Sequence, residues 1–574
     1  MKILFSTSSF GFLRNFQSTV RRLAEAGHEV VLVAERGDAI DGQKMAETLA
    51  GDYGSVWIDS LPSSRYSFWG ALGTGLRASL DYWRYLDRRW DEAPKLRERA
   101  AAQAPAFARA VPRLPVAGSR PVLAALQRLF RALDRALPPP RELVAALDRH
   151  APDLLLLTPL LYFRSYQVEH VRSAKALGIP TLLGVGSWDH LTTKGLIHEV
   201  PDGVLVWNEP QKHEAVDLHG VPPERVIVTG AQAYDHWFAT RPSADRAAFG
   251  RRVGLDAERP ILLYLCSSPF IAPFEVDFVR RWIAAIRSSA DPRLQSAGLL
   301  VRPHPQNAKQ WQGVDLSAEF VNAAIWPRAG VNPIGGEARA DYFDSMYHAE
   351  AVVGVNTSAM IESGIVGRPV YSVADAEFAA TQEGTLHFQH LKNVEGGLLH
   401  LSTTLAAHVG QLERLLADGS AERQSARRFI GGFIRPYGLD VPATPRVAAA
   451  IEELAASSTR TPYMASPGVW LLRALLAPAA VAATVATADA VKLRAIVRHW
   501  TRPARLAARG ALSRLIYALR FVRRLPRRGL RLALAAIRLL TIRPVLWLRH
   551  RGKLALHAFL VSRHPEVSER PEDT

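Results

Sequence analysis

Short apolar runs, each ending in a small or polar residue, recur along most of the chain: KILFS, HEVVLVAE, DLLLLTPLL, TLLGVGSWDHL, GVLVWN, RVIVTG, ILLYLCSSPF and GLLVRPHP. A run that is apolar throughout suits a strand covered on both faces, and the segments between runs are long enough for helices. Alternation of this kind predicts an α/β fold built on parallel sheets. Polar residues at the ends of such strands gather along one edge of the sheet, the edge at which open α/β sheets take ligands.

The rhythm breaks in three places. From about residue 65 to 140 it gives way to an aromatic, Arg-rich and then Ala/Pro-rich stretch that reads as a helical insertion. Residues 241–260, RPSADRAAFGRRVGLDAERP, are polar with prolines near both ends and read as an interdomain linker. After about residue 460 the αβ pattern ends. The expected organisation is therefore an N-terminal α/β domain over 1–240, a linker over 241–260, a second α/β domain over 261–460 and a tail over 461–574. A length of 574 residues suits two such domains and an appendage.

Charge separates the tail from the rest. The whole chain carries +17, but residues 461–574 hold 21 Lys/Arg against 5 Asp/Glu, a net of +16, leaving 1–460 nearly neutral. Within the tail, GVWLLRALLAPAAVAATVATADAV at 468–491 is long enough to span a bilayer, although Arg473, Pro478 and Asp489 make insertion marginal. From Lys492 to Lys553 arginines recur among Leu, Ile, Val and Trp, a pattern for basic amphipathic helices on an anionic membrane surface. A nucleic-acid-binding arm and a packed helical cap are the alternatives; no nucleic-acid module is recognisable. The single cysteine, Cys266, excludes an internal disulfide. The N-terminus, MKILFSTSSF, enters a strand at once without a signal-peptide pattern, so the expected location is cytoplasmic, at the inner face of the membrane.

The second domain holds the densest chemistry. In GVNTSAMIESGIVGRPVYSV at 354–373, a strand turns through Thr357 and Ser358 into a two-turn helix that Gly367 ends, and Glu362 stands one turn above Ser358. Free amide groups and hydroxyls at the corner suit phosphate, and the carboxylate suits ribose hydroxyls. In LLVRPHPQN, Arg302 and His304 are two residues apart at a strand end and share a face. Ser267 and Ser268 end the first strand of this domain, and Gln382 and Glu383 lie in TQEGTLHF beyond the strand that follows the Thr-Ser corner. Each signal is weak alone; four strand-end loops of one sheet carrying such groups make a donor site. The first βα turn has a single glycine, Gly11, so the dinucleotide fingerprint is absent from the N-terminal half.

The R-P-H-P turn together with the strand–Thr-Ser–helix-with-Glu–G-R-P-V unit resembles the C-terminal, nucleotide-binding half of GT-B fold glycosyltransferases, particularly bacterial capsule and CDP-glycerol glycerophosphotransferase-like enzymes. UDP-N-acetylglucosamine 2-epimerases share a similar half. The resemblance covers about 260–400, is looser over 1–240 and is absent after 460. It implies two Rossmann-like domains of GT-B type, a donor diphosphate held by Arg302, His304, Thr357 and Ser358, and a ribose held by Glu362. Many GT-B enzymes carry their base as a His in the first loop, and this chain has none there.

Asp189 and His190, in GVGSWDHLTTKG, are the first-domain candidates for the base, with Asp189 preferred; a Trp-Asp turn that caps the next helix fits the same residues. Arg14 in the first loop could orient an acceptor or be a solvated charge. No D-x-D sequence occurs, so no metal clamp and no cofactor are expected, and the nucleotide sugar enters as substrate. The reading is a metal-independent glycosyltransferase acting on a membrane-associated or polysaccharide acceptor of the cell envelope. The rivals are a nucleotide-sugar epimerase, a polyol-phosphate transferase and a non-enzymatic membrane scaffold.

Overall fold

The computed structural model describes residues 1–37, 41–64, 67–116, 118–457, 461–463 and 465–487. The basic segment 492–553, and the part of 468–491 beyond residue 487, lie outside them.

Two parallel sheets carry the described chain. The first has seven strands in the order β3-β2-β1-β4-β5-β6-β7: β1 Lys2–Ser9, β2 Glu29–Arg36, β3 Val56–Asp59, β4 Leu154–Thr158, β5 Thr181–Gly184, β6 Gly203–Val206 and β7 Val226–Val228. The second has six in the order β10-β9-β8-β11-β12-β13: β8 Ile261–Leu265, β9 Gly298–Arg302, β10 Ala323–Ile325, β11 Ala351–Gly354, β12 Val370–Val373 and β13 Leu399–Ser402. This is the pair of Rossmann-like sheets that the α/β reading implies. Strand order reverses between β1 and β4 and between β8 and β11, and a crevice opens beyond the C-terminal strand ends at such a reversal. The continuous apolar runs are buried because helices cover both faces; β4, β8 and β9 are buried at every position. A Cβ on Gly354 would stand 2.9 Å from the Leu265 carbonyl, so glycine lets β11 close on β8.

Residues between β3 and β4 form the helical insertion, with helices Gly70–Arg84, Pro94–Gln103, Ala106–Ala110 and Arg120–Ala136. A buried ionic network seats it: Asp134 receives Arg172 at 2.6 Å and Arg77 at 3.3 Å, and Arg77 also reaches Glu169 at 2.9 Å. Burial alone would raise the Asp134 carboxyl, but the two guanidinium groups outweigh it and hold it below the usual range.

Two boundaries differ from the sequence expectation. The segment 241–260 is not a bare linker: it contains the helix Arg246–Val253, N-capped by Asp245, whose Phe249 and Val253, one turn apart, enter the hydrophobic core of the second domain. Polar residues on its outer face hide that pattern. At the other end, the helix Thr444–Ser457 leaves the second domain and packs Val447, Ala448 and Ile451 against Ile3, Phe5, Val20 and Leu23 of the first. The chain thus crosses between domains twice. Asp235 ties the crossings together, its carboxylate accepting from Arg435 at 3.0 Å, the Ala443 amide at 3.0 Å and the Thr444 amide and hydroxyl at 2.7 Å each.

The helix Pro467–Thr487 follows. By length and composition it could cross a membrane over Pro467–Thr484; here it lies against the insertion, with Arg473 Nε donating to the Ala136 carbonyl at 2.7 Å. Its Trp470, Leu471 and Leu475 are 60%, 65% and 69% exposed.

Candidate active site

A cleft of about 510 Å³ opens where the C-terminal strand ends of the two sheets face each other. On the second-domain wall, β9 ends in Arg302, 4% exposed. Its Nη1 donates to Asp341 Oδ2 at 2.9 Å and Ser345 Oγ at 2.8 Å, and its guanidinium lies 5.1 Å from the Tyr342 ring centroid. His304 Nδ1 accepts the Gln306 amide at 3.2 Å, which leaves the proton of the neutral ring on Nε2 as a donor. Burial, then the charge of Arg14, lowers the His304 pKa.

After β11 the chain turns through Thr357 and Ser358 into the helix Ala359–Ile365, and Gly367, with φ +79°, ends it in the left-handed conformation expected at that cap. Thr357 and Ser358 line the cleft. Ser358 Oγ accepts Trp188 Nε1 at 3.0 Å, a direct bond between the two domains. Glu362 is half-buried on the same wall, and Tyr342 OH donates to its Oε2 at 2.7 Å. Burial raises the Glu362 carboxyl, against the Tyr342 bond and the charge of Arg14.

On the first-domain wall, the loop after β1 presents Arg14, exposed and with no hydrogen bond or ion pair among the described residues. Its charge bears on the titration of His190 on its own wall and of His304 and Glu362 opposite. Asn15 Nδ2 donates to the Gly186 carbonyl at 2.8 Å and ties this loop to the one after β5.

That second loop carries Asp189 and His190, and they differ sharply. Asp189 is fully engaged: Oδ1 accepts Ser187 OH at 2.6 Å, Oδ2 accepts Thr193 OH at 2.8 Å, and Lys194 Nζ stands 3.6 Å away. Burial favours the neutral acid, but the charge of Lys194 and the Ser187 bond outweigh it and hold the carboxyl below its usual range. His190 is 4% exposed, and its Nδ1 is buried with no hydrogen-bond partner. Its ring lies edge-on 5.9 Å from Tyr162, and burial lowers its pKa to about 4. At neutral pH this wall therefore offers an uncharged imidazole beside an ionised carboxylate.

Seven residues expected from the sequence thus line one cleft: Asp189, His190, Arg302, His304, Thr357, Ser358 and Glu362. Four others do not line it. The Ser267 amide donates to Glu275 and its hydroxyl faces the Asn356 amide; the Ser268 carbonyl accepts the Ile271 and Ala272 amides. Gln382 is fully buried, its Nε2 donating to Ser372 Oγ at 2.9 Å and to two carbonyls, and Glu383 pairs with Lys392 at 2.7 Å. These side chains complete loops behind the cleft. Tyr162, Lys194, Tyr234, Arg339 and Tyr342 line the cleft without having been singled out from the sequence. Tyr162 follows β4, so the strand-end rule would have reached it; Tyr342 is mid-helix, where spacing carries no signal.

No protein-family model matches this sequence, and no curated protein matches it either. Among solved structures, a glycosyltransferase from Rickettsia africae is similar at 9% identity and a TM-score of 0.47, over 80% of this chain and 99% of that one. A UDP-GlcNAc 2-epimerase from Neisseria meningitidis, solved with UDP-GlcNAc bound, is similar at 11% identity and a TM-score of 0.44, over 79% of this chain and all of that one. The wall teichoic acid polymerase TagF is similar at 9% identity and 0.37, over 79% and 89%. At such identities and scores the chemistry of the site has to be read from this chain's own residues.

Proposed function

We propose that this protein is a glycosyltransferase that binds a nucleotide sugar in the cleft and passes its sugar to an acceptor hydroxyl. The observation that carries the reading is the facing of two unlike walls: a carboxylate held by Tyr342 with one oxygen left over, beside hydroxyl and imidazole donors, opposite an unpaired Arg14 and a neutral His190. Glu362 suits the ribose diol. Ser358, Thr357 and His304 Nε2 suit diphosphate oxygens, and Arg14 supplies the positive charge from across the cleft.

His190, rather than Asp189, is the base in this reading. A carboxylate with both oxygens hydrogen-bonded and its pKa depressed has little affinity for a proton, whereas the buried imidazole is neutral and keeps a free lone pair. The acceptor oxygen attacks the anomeric carbon as its proton passes to His190. The bond from that carbon to the diphosphate breaks, and the charge gathering on the leaving oxygen meets Arg14 and the donors of the opposite wall, where stabilisation lowers the barrier. Arg302, already paired with Asp341, shapes that wall and stacks on Tyr342 instead of taking phosphate directly. Transfer by this scheme needs no metal.

The acceptor is proposed to be membrane-associated, reached from the cytoplasmic face by a chain whose basic segment 492–553 suits anionic lipid. The test is incubation of the full chain with labelled nucleotide sugars and membrane lipid, with and without chelator. Label in lipid or polymer regardless of chelator supports the reading. A free nucleotide sugar changed only in configuration replaces transfer with epimerisation, and no turnover of any donor removes the enzyme.

A further inference from the structure

A second cavity, of about 520 Å³, lies on the helical insertion, bounded by the helices Gly70–Arg84 and Arg120–Ala136, the turn Arg88–Trp90 and residues 217–218 of the main domain. Its size falls within the range of small-ligand sites. Five arginines line it: Arg84, Arg88, Arg89, Arg120 and Arg131. Asp87 neutralises Arg89 at 3.0 Å, whereas Arg88, Arg120 and Arg131 make no ion pair among the described residues. Arg131 also feels the like charges of Arg135 and Arg128.

Arg84, which also lines the cavity, is held by the protein itself. It is 8% exposed, has no carboxylate partner, and its Nε is buried without a hydrogen-bond partner. Its Nη atoms donate to the carbonyls of Leu191, Lys194 and Gly195, its guanidinium lies over the Tyr85 and Trp90 rings, and the charges of Asp81 and Glu214 bear on it. Between the arginines lie the part-exposed apolar side chains of Leu123, Ala124, Leu196 and Leu218, with the exposed Asp217 at the same wall as Leu218. A purely ionic ligand would leave that apolar surface unused, and a purely apolar one would leave the arginines unanswered.

We infer that this cavity binds an amphiphilic phosphate, a phosphate group carried on an aliphatic chain, with Arg88, Arg120 and Arg131 on the phosphate and the chain along Leu123, Ala124 and Leu218. The site is distinct from the cleft and does not depend on what the cleft transfers. It is nevertheless joined to it. Arg84 Nη1 and Nη2 donate to the carbonyls of Gly195 at 2.9 Å and Leu191 at 2.6 Å, Tyr85 OH donates to that of Lys194 at 2.6 Å, and Arg99 donates to Thr193. The loop that presents His190 and Lys194 to the cleft is therefore held from behind by the residue that lines the second cavity.

Calorimetry of the full-length chain against butyl, hexyl and octyl phosphate tests the inference, with inorganic phosphate and octanol as the two half-ligands. Affinity should rise about fourfold per methylene, the value of one buried CH₂. Arg120→Ala with Arg131→Ala, both exposed positions, should weaken octyl phosphate by about tenfold or more. Ala124→Trp, which fills the cavity and keeps every arginine, should abolish binding. The inference is overturned by affinity that ignores chain length, by inorganic phosphate binding as tightly as octyl phosphate, or by binding that survives both the double arginine replacement and Ala124→Trp.

Discussion

The two walls of the cleft use the same residue types in opposite states. On the second-domain wall the charged groups answer one another: Arg302 meets Asp341 and Ser345, and Glu362 meets Tyr342. On the first-domain wall Asp189 is saturated by its own loop, while Arg14 and His190 are left without polar partners. Committed groups fix shape; uncommitted ones are those a substrate can still engage. A charged residue in a cleft says little about its role until its partners are counted.

The largest effect is expected at His190. His190→Gln should lower turnover by about 10²–10⁴-fold, the range for a lost general base, with donor affinity retained. Steady-state kinetics beside Asp189→Asn decides it: the larger loss in Asp189→Asn would return the role to the carboxylate. With the His190 pKa near 4, its neutral form is already complete at neutral pH, so on acidification kcat/KM should fall first as Glu362, whose carboxyl burial raises, takes up a proton, and fall again near pH 4 as His190 does.

Next in size is Arg302→Ala, which takes one of two guanidinium partners from the Asp341 carboxylate, leaving Arg252 at 3.4 Å and the Trp326 indole at 2.9 Å, and should cost about 1.5–3 kcal/mol of folding stability by chemical denaturation. Arg14→Ala should leave stability unchanged and cost about 1.5–3 kcal/mol of nucleoside diphosphate affinity, the worth of hydrogen bonds to a charged group, with little effect on the bare nucleoside. If Arg302→Ala proved the milder change for folding and the harsher one for diphosphate, the assignment of the two walls would be reversed.

The smallest effect at neutral pH concerns the buried histidines. Burial lowers His170, His190, His387 and His408 from 6.5 to about 4. Below pH 6.5 the unfolded chain takes up protons on these rings that the folded chain refuses, so the four rings should lower stability as pH drops from about 6.5 towards 4 and contribute no pH dependence above that window, where Glu275, raised to about 8, supplies the slope. A series of thermal melts across the window is the measurement; stability that rises on acidification within it would contradict the burial of these rings.

How far this arrangement was legible depends on the range of the interactions involved. Apolar runs betray buried parallel strands because each strand's environment is written in its own residues, and the Thr-Ser corner, Glu362 and the glycine cap were readable for the same reason. Strand-end position reveals which edge a residue occupies but not whether its polar atoms are already spent. Ser267 is spent on Glu275, and Gln382 on Ser372 and Val373 of β12 and on the Val355 carbonyl, as buried polar groups must be. Arg302 was recognisable as a site residue, whereas its partner Asp341 lies 39 positions away on a helix with no distinguishing pattern. The same distance problem hides the seat of the insertion, where Arg77, Asp134 and Arg172 come from three separate helices.

The double crossing at Asp235 has a mechanical consequence. One strand of chain between two bodies leaves a swivel; two strands pinned side by side leave a hinge with a single axis. Opening of the cleft should then be a rotation about the line through Asp235, Arg435 and Thr444, with displacement growing in proportion to distance from it. Residues next to Asp235, such as Tyr234 and Trp237, would hardly move. Groups far from it would swing apart, so a long acceptor could be released by a rotation too small to disturb the packing beside the axis.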